Sequence, residues 1–189
     1  MIKKILSVSQ KENLFSDDEK DIYEYGYALI KGALLNIIAA ITIAMILKKI
    51  KVFFLFSMLF IPLRKFAGGF HFNKPIVCYI MSNVMLTCVY YLYELIANVN
   101  VYTISVSLIL VIEGYIIIKL SPVDSDYKLL EDIEKKRYRN IVIIILIIEL
   151  MMQYAMIHVI NNILLIVWSL ELLFLALGKV IKFSRSRVK

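Results

Sequence analysis

Apolar residues along this chain gather into six runs, at 28–47, 52–63, 76–96, 101–120, 141–160 and 163–180, separated by short polar or charged breaks. Five of the runs approach the roughly 20 residues a helix needs to cross about 30 Å of hydrocarbon. The second, residues 52–63, is short by that measure. It spans only if Lys48, Lys49, Lys51, Arg64 and Lys65 stretch toward the interfaces or the bilayer thins; otherwise it is re-entrant. The pattern predicts an all-α, polytopic membrane protein of about six apolar segments, forming one integral membrane domain over residues 1–189. Residues 1–27 are its polar N-terminal segment, 28–180 its membrane core and 181–189 its basic tail.

The polar start has a pattern of its own. Ile2, Ile5 and Leu6 fall on one helical face against Lys3, Lys4, Lys11 and Glu12, which predicts a short amphipathic helix on the bilayer surface. Ser16-Asp17-Asp18-Glu19 then reads as a capping box, with Ser16 at the N-cap, Glu19 at N3 and acids in the first turn. The helix it opens can run into the first apolar run without interruption. No apolar core precedes that run, so no signal peptide is expected.

Composition agrees with lipid as the solvent. Of 189 residues 61% are hydrophobic, and the mean hydropathy is +0.79, more apolar surface than one water-soluble core could bury. The net charge of +7 is concentrated in loops and the C-terminal tail, and no basic face is interleaved with a soluble fold, which excludes nucleic acid as a partner. The charges instead set orientation. Lys179, Lys182, Arg185, Arg187 and Lys189 follow Gly178 with no acid among them, and Lys128, Lys135, Lys136, Arg137 and Arg139 lie within 121–140. Residues 98–100 and 161–162 carry no charge. The positive-inside rule therefore puts the 121–140 loop, the C-terminus and the region around His71 in the cytoplasm of a multi-pass cell-membrane protein. Six spans place the N-terminus there as well and leave Lys48-Lys49-Ile50-Lys51 outside as one exception. A re-entrant second segment puts the N-terminus outside.

Candidate chemistry is concentrated in Arg64-Lys65-Phe66-Ala67-Gly68-Gly69-Phe70-His71-Phe72-Asn73-Lys74-Pro75-Ile76-Val77-Cys78-Tyr79, which holds one of two histidines and one of two cysteines. Cys78 and Cys88 lie ten positions apart in one run, roughly 15 Å of helical rise, whereas a disulfide needs Cα atoms within about 7 Å. They are free thiols. On a continuous helix His71 and Cys78 would share a face about 10 Å apart along the axis, too far to hydrogen-bond. Gly68-Gly69 lets the backbone turn, however, and Pro75 marks a first helical turn, so His71 belongs to a loop that can fold back over the start of the third run. Cys78 then lies in or beside that first turn, where a helix N-terminus and a neighbouring imidazolium both favour a thiolate. On the residues alone other readings stand. A loop histidine is more often a surface residue, and a cysteine in a membrane helix is more often a small apolar filler. No His or Cys pair has metal-site spacing, so neither metal nor cofactor is expected.

The segment Arg64-Lys65 … Gly68-Gly69-Phe70-His71 … Cys78-Tyr79 resembles the signature of the accessory gene regulator protein B family, membrane cysteine endopeptidases of Gram-positive quorum sensing. Basic residues, a small-residue pair, His, six intervening residues and Cys followed by an aromatic all match. Ser121-Pro122-Val123-Asp124 with Lys128 is similar to a second family segment, although Ser121 stands where Ala is usual and Leu129 where Pro is common. The resemblance implies a peptidase acting on a small pro-peptide with an amphipathic leader, a middle signal segment and an acidic C-terminal tail. Cys78 would attack the carbonyl at the tail junction while His71 takes its proton and later protonates the leaving amine. An internal Cys or Ser of the substrate could then displace Cys78 to close a thiolactone or lactone, and a water-poor site at the membrane edge would protect the thioester. Arg64, Lys65 and Lys74 can hold the loop in the cytoplasm and also attract an acidic tail, and Lys128 joins them as a substrate-binding candidate.

Glu113, Glu149 and Glu171 lie inside apolar runs. Intramembrane acids suggest function by default, and three of them could form a proton path in a small transporter or channel, the alternative class. Interhelical hydrogen bonds, with Lys31, Gln153, His158 and Asn162 as partners, are the preferred reading. A transporter would also show internal repeats or helices broken at mid-membrane, and neither is apparent. Polar groups inside spans often accompany self-association, so a homodimer is an expected assembly.

Overall fold

The structure is a computed structural model that describes residues 17–70, 75–97, 103–123, 131–155 and 157–187. The amphipathic segment at 1–16 and the N-cap at Ser16 lie outside the described residues. Six helices account for the described regular structure: α1 (Asp17–Ile46), α2 (Ile50–Ala67), α3 (Pro75–Ala97), α4 (Thr103–Leu120), α5 (Asp132–Ala155) and α6 (Ile157–Arg187). The fold is all-α among these residues, with one isolated bridge between Gly68 and Val123.

Helix α1 runs unbroken from its acidic opening into the first apolar run. The short second run lies within an 18-residue helix, α2, which adds residues at both ends and reaches about 27 Å. Its buried side chains are Val52, Phe53, Phe56, Leu59, Phe60, Leu63 and Ala67, so one face packs into the bundle while Phe54, Met58 and Ile61 face outward. One boundary departs from expectation. The break between α5 and α6 falls after Ala155, before the asparagine pair at 161–162 that marks it in the sequence. Asn161 is buried inside α6. Asparagine is a weak helix former but not a breaker, and interior packing overrides its preference for loops.

α6 is the hub, packing against α2, α3, α4 and α5, and its Trp168, Leu164, Ile163 and Leu175 are fully buried. The stretches Ile76–Ala97 in α3 and Ile160–Phe183 in α6 are long and apolar enough to cross a membrane, and Ile30–Ile46 in α1 is a shorter apolar helix. The outward faces of α1 and α4 are apolar as well, with Ile30, Leu34, Ile38, Leu108, Ile112 and Tyr115 more than half exposed. Contiguous apolar surface of this kind is stable against lipid and not against water, which supports membrane association.

Cross-helix contacts sort the helix termini into two ends. The start of α2 meets the end of α3 through an ion pair between Lys49 and Glu94, and the end of α5 meets the start of α4 where Gln153 Nε2 donates to Ser107 Oγ at 3.1 Å. At the opposite end, the C-terminus of α2, the start of α5, the segment after α4 and the C-terminal half of α6 come together. The basic residues Lys135, Lys136, Arg137 and Arg139, and Lys179 and Lys182, belong to elements of this second end.

Candidate active site

The site end is organised around how α2 stops. Gly68 (φ 78°) and Gly69 (φ 114°) both occupy the left-handed region that a side chain disfavours, and the Gly68 N–H donates back to Arg64 O at 3.2 Å. The turn is then tied down from two sides. Val123 N–H donates to Ala67 O and Phe70 N–H donates to Phe174 O of α6, each at 3.0 Å. A Cβ on Gly68 would strike the Val123 carbonyl, and one on Gly69 would meet Phe174 O at 2.9 Å. A Cβ larger than the existing hydrogen on Gly178 would come within 3.0 Å of Gly69 C and Phe70 N, so a glycine on α6 admits the turn that the two glycines make. The two sequence segments singled out for chemistry therefore meet, backbone against backbone.

The first basic residue of the motif serves this turn. Arg64 donates through Nη1 to Gly68 O and through Nη2 to Phe70 O. Its guanidinium stacks 4.3 Å above the Phe174 ring and lies 3.6 Å from the Glu171 carboxylate. Glu171 is fully buried and the Arg64 side chain is 14% exposed. Arg64, expected to attract a substrate tail, is engaged here by two internal carbonyls and lies beside a buried acid. Lys65 differs: it is exposed, with Nζ 5.5 Å from the Phe66 ring, which meets Tyr138 edge-on.

Cys78 is the fourth residue of α3 and is half-buried. Its carbonyl accepts a hydrogen bond from Ser82 Oγ at 2.7 Å, and the Arg64 guanidinium is within electrostatic reach of the thiol. Cys88 is exposed ten residues further on. In the second segment Ser121 is buried, its N–H donates to Ile117 O, and its carbonyl accepts from Arg139 Nε at 3.2 Å. His71, Asn73, Lys74, Asp124 and Lys128 lie outside the described residues.

The three acids of the apolar runs are each engaged between helices, with partners other than those expected. Trp168 Nε1 of α6 donates to Glu149 Oε2 of α5 at 2.6 Å, and Ser169 Oγ of α6 donates to Glu113 Oε1 of α4 at 2.7 Å. Glu171 takes Arg64. Gln153 pairs with Ser107 instead, and Asn83 of α3 donates to Asn36 of α1 at 2.8 Å. Interhelical bonds of this kind contribute about 0.6–2 kcal/mol each in an apolar medium. The inward role of Arg64 is not visible in the sequence, where it stands among the loop charges, and nothing in residue type marks Trp168 as the partner of Glu149. The strip of α6 that meets the turn was equally missed. Its signal was the spacing of Glu171, Phe174 and Gly178, which places them on one helical face.

The sequence profile of the family described as Accessory gene regulator B matches residues 2–177. An AgrB-like protein 2 of Clostridium perfringens (strain 13 / Type A) is 28% identical over 142 residues, or 72% of this chain. The aligned part covers 66% of that relative, just under two thirds of its length. No solved structure matches the chain. Since the family profile runs over nearly all of a helical bundle that draws both motif segments to one end, the chain belongs to the accessory gene regulator B family.

Proposed function

We propose that the chain is a membrane-embedded cysteine endopeptidase that removes the acidic C-terminal tail of a small signalling pro-peptide and promotes its cyclisation. Membership of the family ties it to peptide processing in quorum sensing. The observation that supports the finer reading is the meeting of Ala67-Gly68 with Val123, which brings the two motif segments together at the end of the bundle where α3, with Cys78 as its fourth residue, begins.

In this reading the Cys78 thiolate attacks the carbonyl carbon at the tail junction, and His71 holds the proton it has taken from the thiol. Collapse of the tetrahedral intermediate breaks the C–N bond, and the imidazolium protonates the departing amine. The acyl group stays on sulfur as a thioester, which retains acylating power. A thiol or hydroxyl of the substrate then attacks that thioester, releases Cys78 and closes a thiolactone or lactone; water would give the linear acid. Arg64 keeps the turn before His71 in place, and Lys65, Lys74 and Lys128 attract the acidic tail. The helices cross the bilayer with this end in the cytoplasm, and the protein assembles as a homodimer. No metal or cofactor is required.

Co-expression with a pro-peptide bearing an amphipathic leader, an internal Cys or Ser and an acidic tail tests the proposal. Mass spectrometry should find the released tail and a product lighter by one water than the linear acid. A Cys78→Ala variant that still cleaves would overturn it. The transporter alternative has less to stand on, because Glu113, Glu149 and Glu171 each have a partner within the chain.

A further inference from the structure

The last described residue before His71 is Phe70, and consecutive Cα atoms are about 3.8 Å apart across a trans peptide. Whatever holds Phe70 therefore sets where the following loop departs. Two of the holding groups belong to α6. Phe174 supplies the carbonyl that takes the Phe70 N–H, and Glu171 supplies the buried carboxylate beside Arg64, whose guanidinium bonds Gly68 O and Phe70 O. A third residue, Gly178, leaves the space in which the 69–70 backbone lies. They stand at positions i, i+3 and i+7 of one helix, so one rigid strip carries all three.

We propose that the Glu171–Phe174–Gly178 strip of α6 is a positioning element for the catalytic loop, setting the distance between the loop's starting point and Cys78. The proposal rests on the His71/Cys78 reading and deepens it. None of the three residues touches substrate; they act through Phe70. Gly178 is informative because its two roles oppose each other. Alanine is the better helix former, so Gly178→Ala strengthens α6 by itself. The same methyl sits 3.0 Å from Gly69 C and Phe70 N, and the turn must move to admit it. A residue needed only for helix stability would gain from that substitution. Gly32 supplies the control, since a Cβ there meets nothing within 4 Å.

The test measures tail cleavage at several substrate concentrations for the full chain and for Gly178→Ala, Gly178→Val, Glu171→Gln and Gly32→Ala. Insertion is followed by the amount of full-length chain recovered in the membrane fraction. Displacing one partner of a reacting pair by about 1 Å can cost on the order of a hundredfold in rate. Gly178→Ala should lower kcat by roughly tenfold and Gly178→Val by more, with KM held within about twofold, because capture does not depend on the strip. Glu171→Gln should lower kcat in the same manner, and it decides the matter if Gly178→Val fails to insert. Gly32→Ala should match the parent. Unchanged kcat in Gly178→Ala and Glu171→Gln, or a loss confined to KM, overturns the positioning role. That result differs from failure of the underlying reading, which appears as cleavage that survives Cys78→Ala and His71→Ala.

Discussion

At the site end of the bundle, α2 stops on two left-handed glycines whose neighbours are main-chain atoms of α6 and of residues 121–123. At the other end α1 passes into α2 over Leu47–Lys49 with local bonds of its own, Lys48 N–H to Met45 O and Lys49 N–H to Ala44 O. The charges differ in the same way. Glu171 is fully buried and meets the part-buried Arg64 within the protein, whereas Lys49 pairs with Glu94, which is half exposed. An exposed pair can re-form around small movements and contributes little. A buried pair joined to two carbonyls cannot, and it transmits position. One end joins helices, and the other holds a loop in place.

The sharpest break of that comparison is at the cysteines of α3, one in the first turn at the site end and one further along the helix. Cys78→Ala is expected to abolish tail cleavage, and Cys88→Ala to leave most of it, read by gel analysis after co-expression with the pro-peptide. His71→Ala should be as damaging as Cys78→Ala in protein that inserts normally. The double variant should be little worse than either single one, because groups that act as one unit are strongly non-additive. Additive losses would separate His71 from the thiol.

Next in size is the contrast between the two ion pairs. Arg64→Gln leaves the Glu171 carboxylate buried without its cation, a change that costs on the order of 3–5 kcal/mol. Adding Glu171→Gln removes the orphaned charge and should restore a good part of that stability, although the clasp on Gly68 O and Phe70 O stays lost. Lys49→Gln at the opposite end should cost less than about 1 kcal/mol. Thermal unfolding in detergent micelles compares the three. Equal losses from Arg64→Gln and Lys49→Gln would mean that burial at the site end carries no special weight.

Much of the helix order was legible in the sequence, because apolar run length and Gly/Pro punctuation are local signals. Pro75 at the start of α3 and the turn at Gly68-Gly69 are cases in point: each follows from what one residue type permits. The run at 141–160 shows the limit, since nothing in its composition marks the break after Ala155, and the visible mark at 161–162 is absorbed into α6. The direction in which Arg64 points was also out of reach. Arg64 and Lys65 are adjacent and alike in charge, yet one is turned inward by an acid more than a hundred residues away and the other faces out. Only the packing of α2 on α6 decides between them. That Val123 would pair with Gly68 was likewise hidden, because backbone pairing between distant segments leaves no trace in residue type.

The smallest expected effect concerns the outward charges, and it asks whether the site end differs from the other end in electrostatics as well as in packing. Lys65, Lys74 and Lys128 belong to the motif-bearing segments, and Lys48 and Lys51 flank the α1–α2 turn. Charges that steer a ligand raise encounter and holding without moving protons in the reaction. Replacing Lys65, Lys74 and Lys128 by Gln should therefore raise KM for an acid-tailed substrate by about threefold to tenfold and leave kcat near its parent value. The effect should shrink at high salt, where screening shortens the reach of each charge, and when the acids of the substrate tail are neutralised. Lys48→Gln with Lys51→Gln should leave KM unchanged. Because loop lysines also set topology, impermeant thiol labelling of Cys78 in intact and opened cells must first give the same sidedness for each variant. With sidedness preserved, a KM indifferent to all three site-end substitutions would reduce those lysines to topology signals, and the distinction between the ends would then rest on the turn, its buried pair and the strip of α6 behind them.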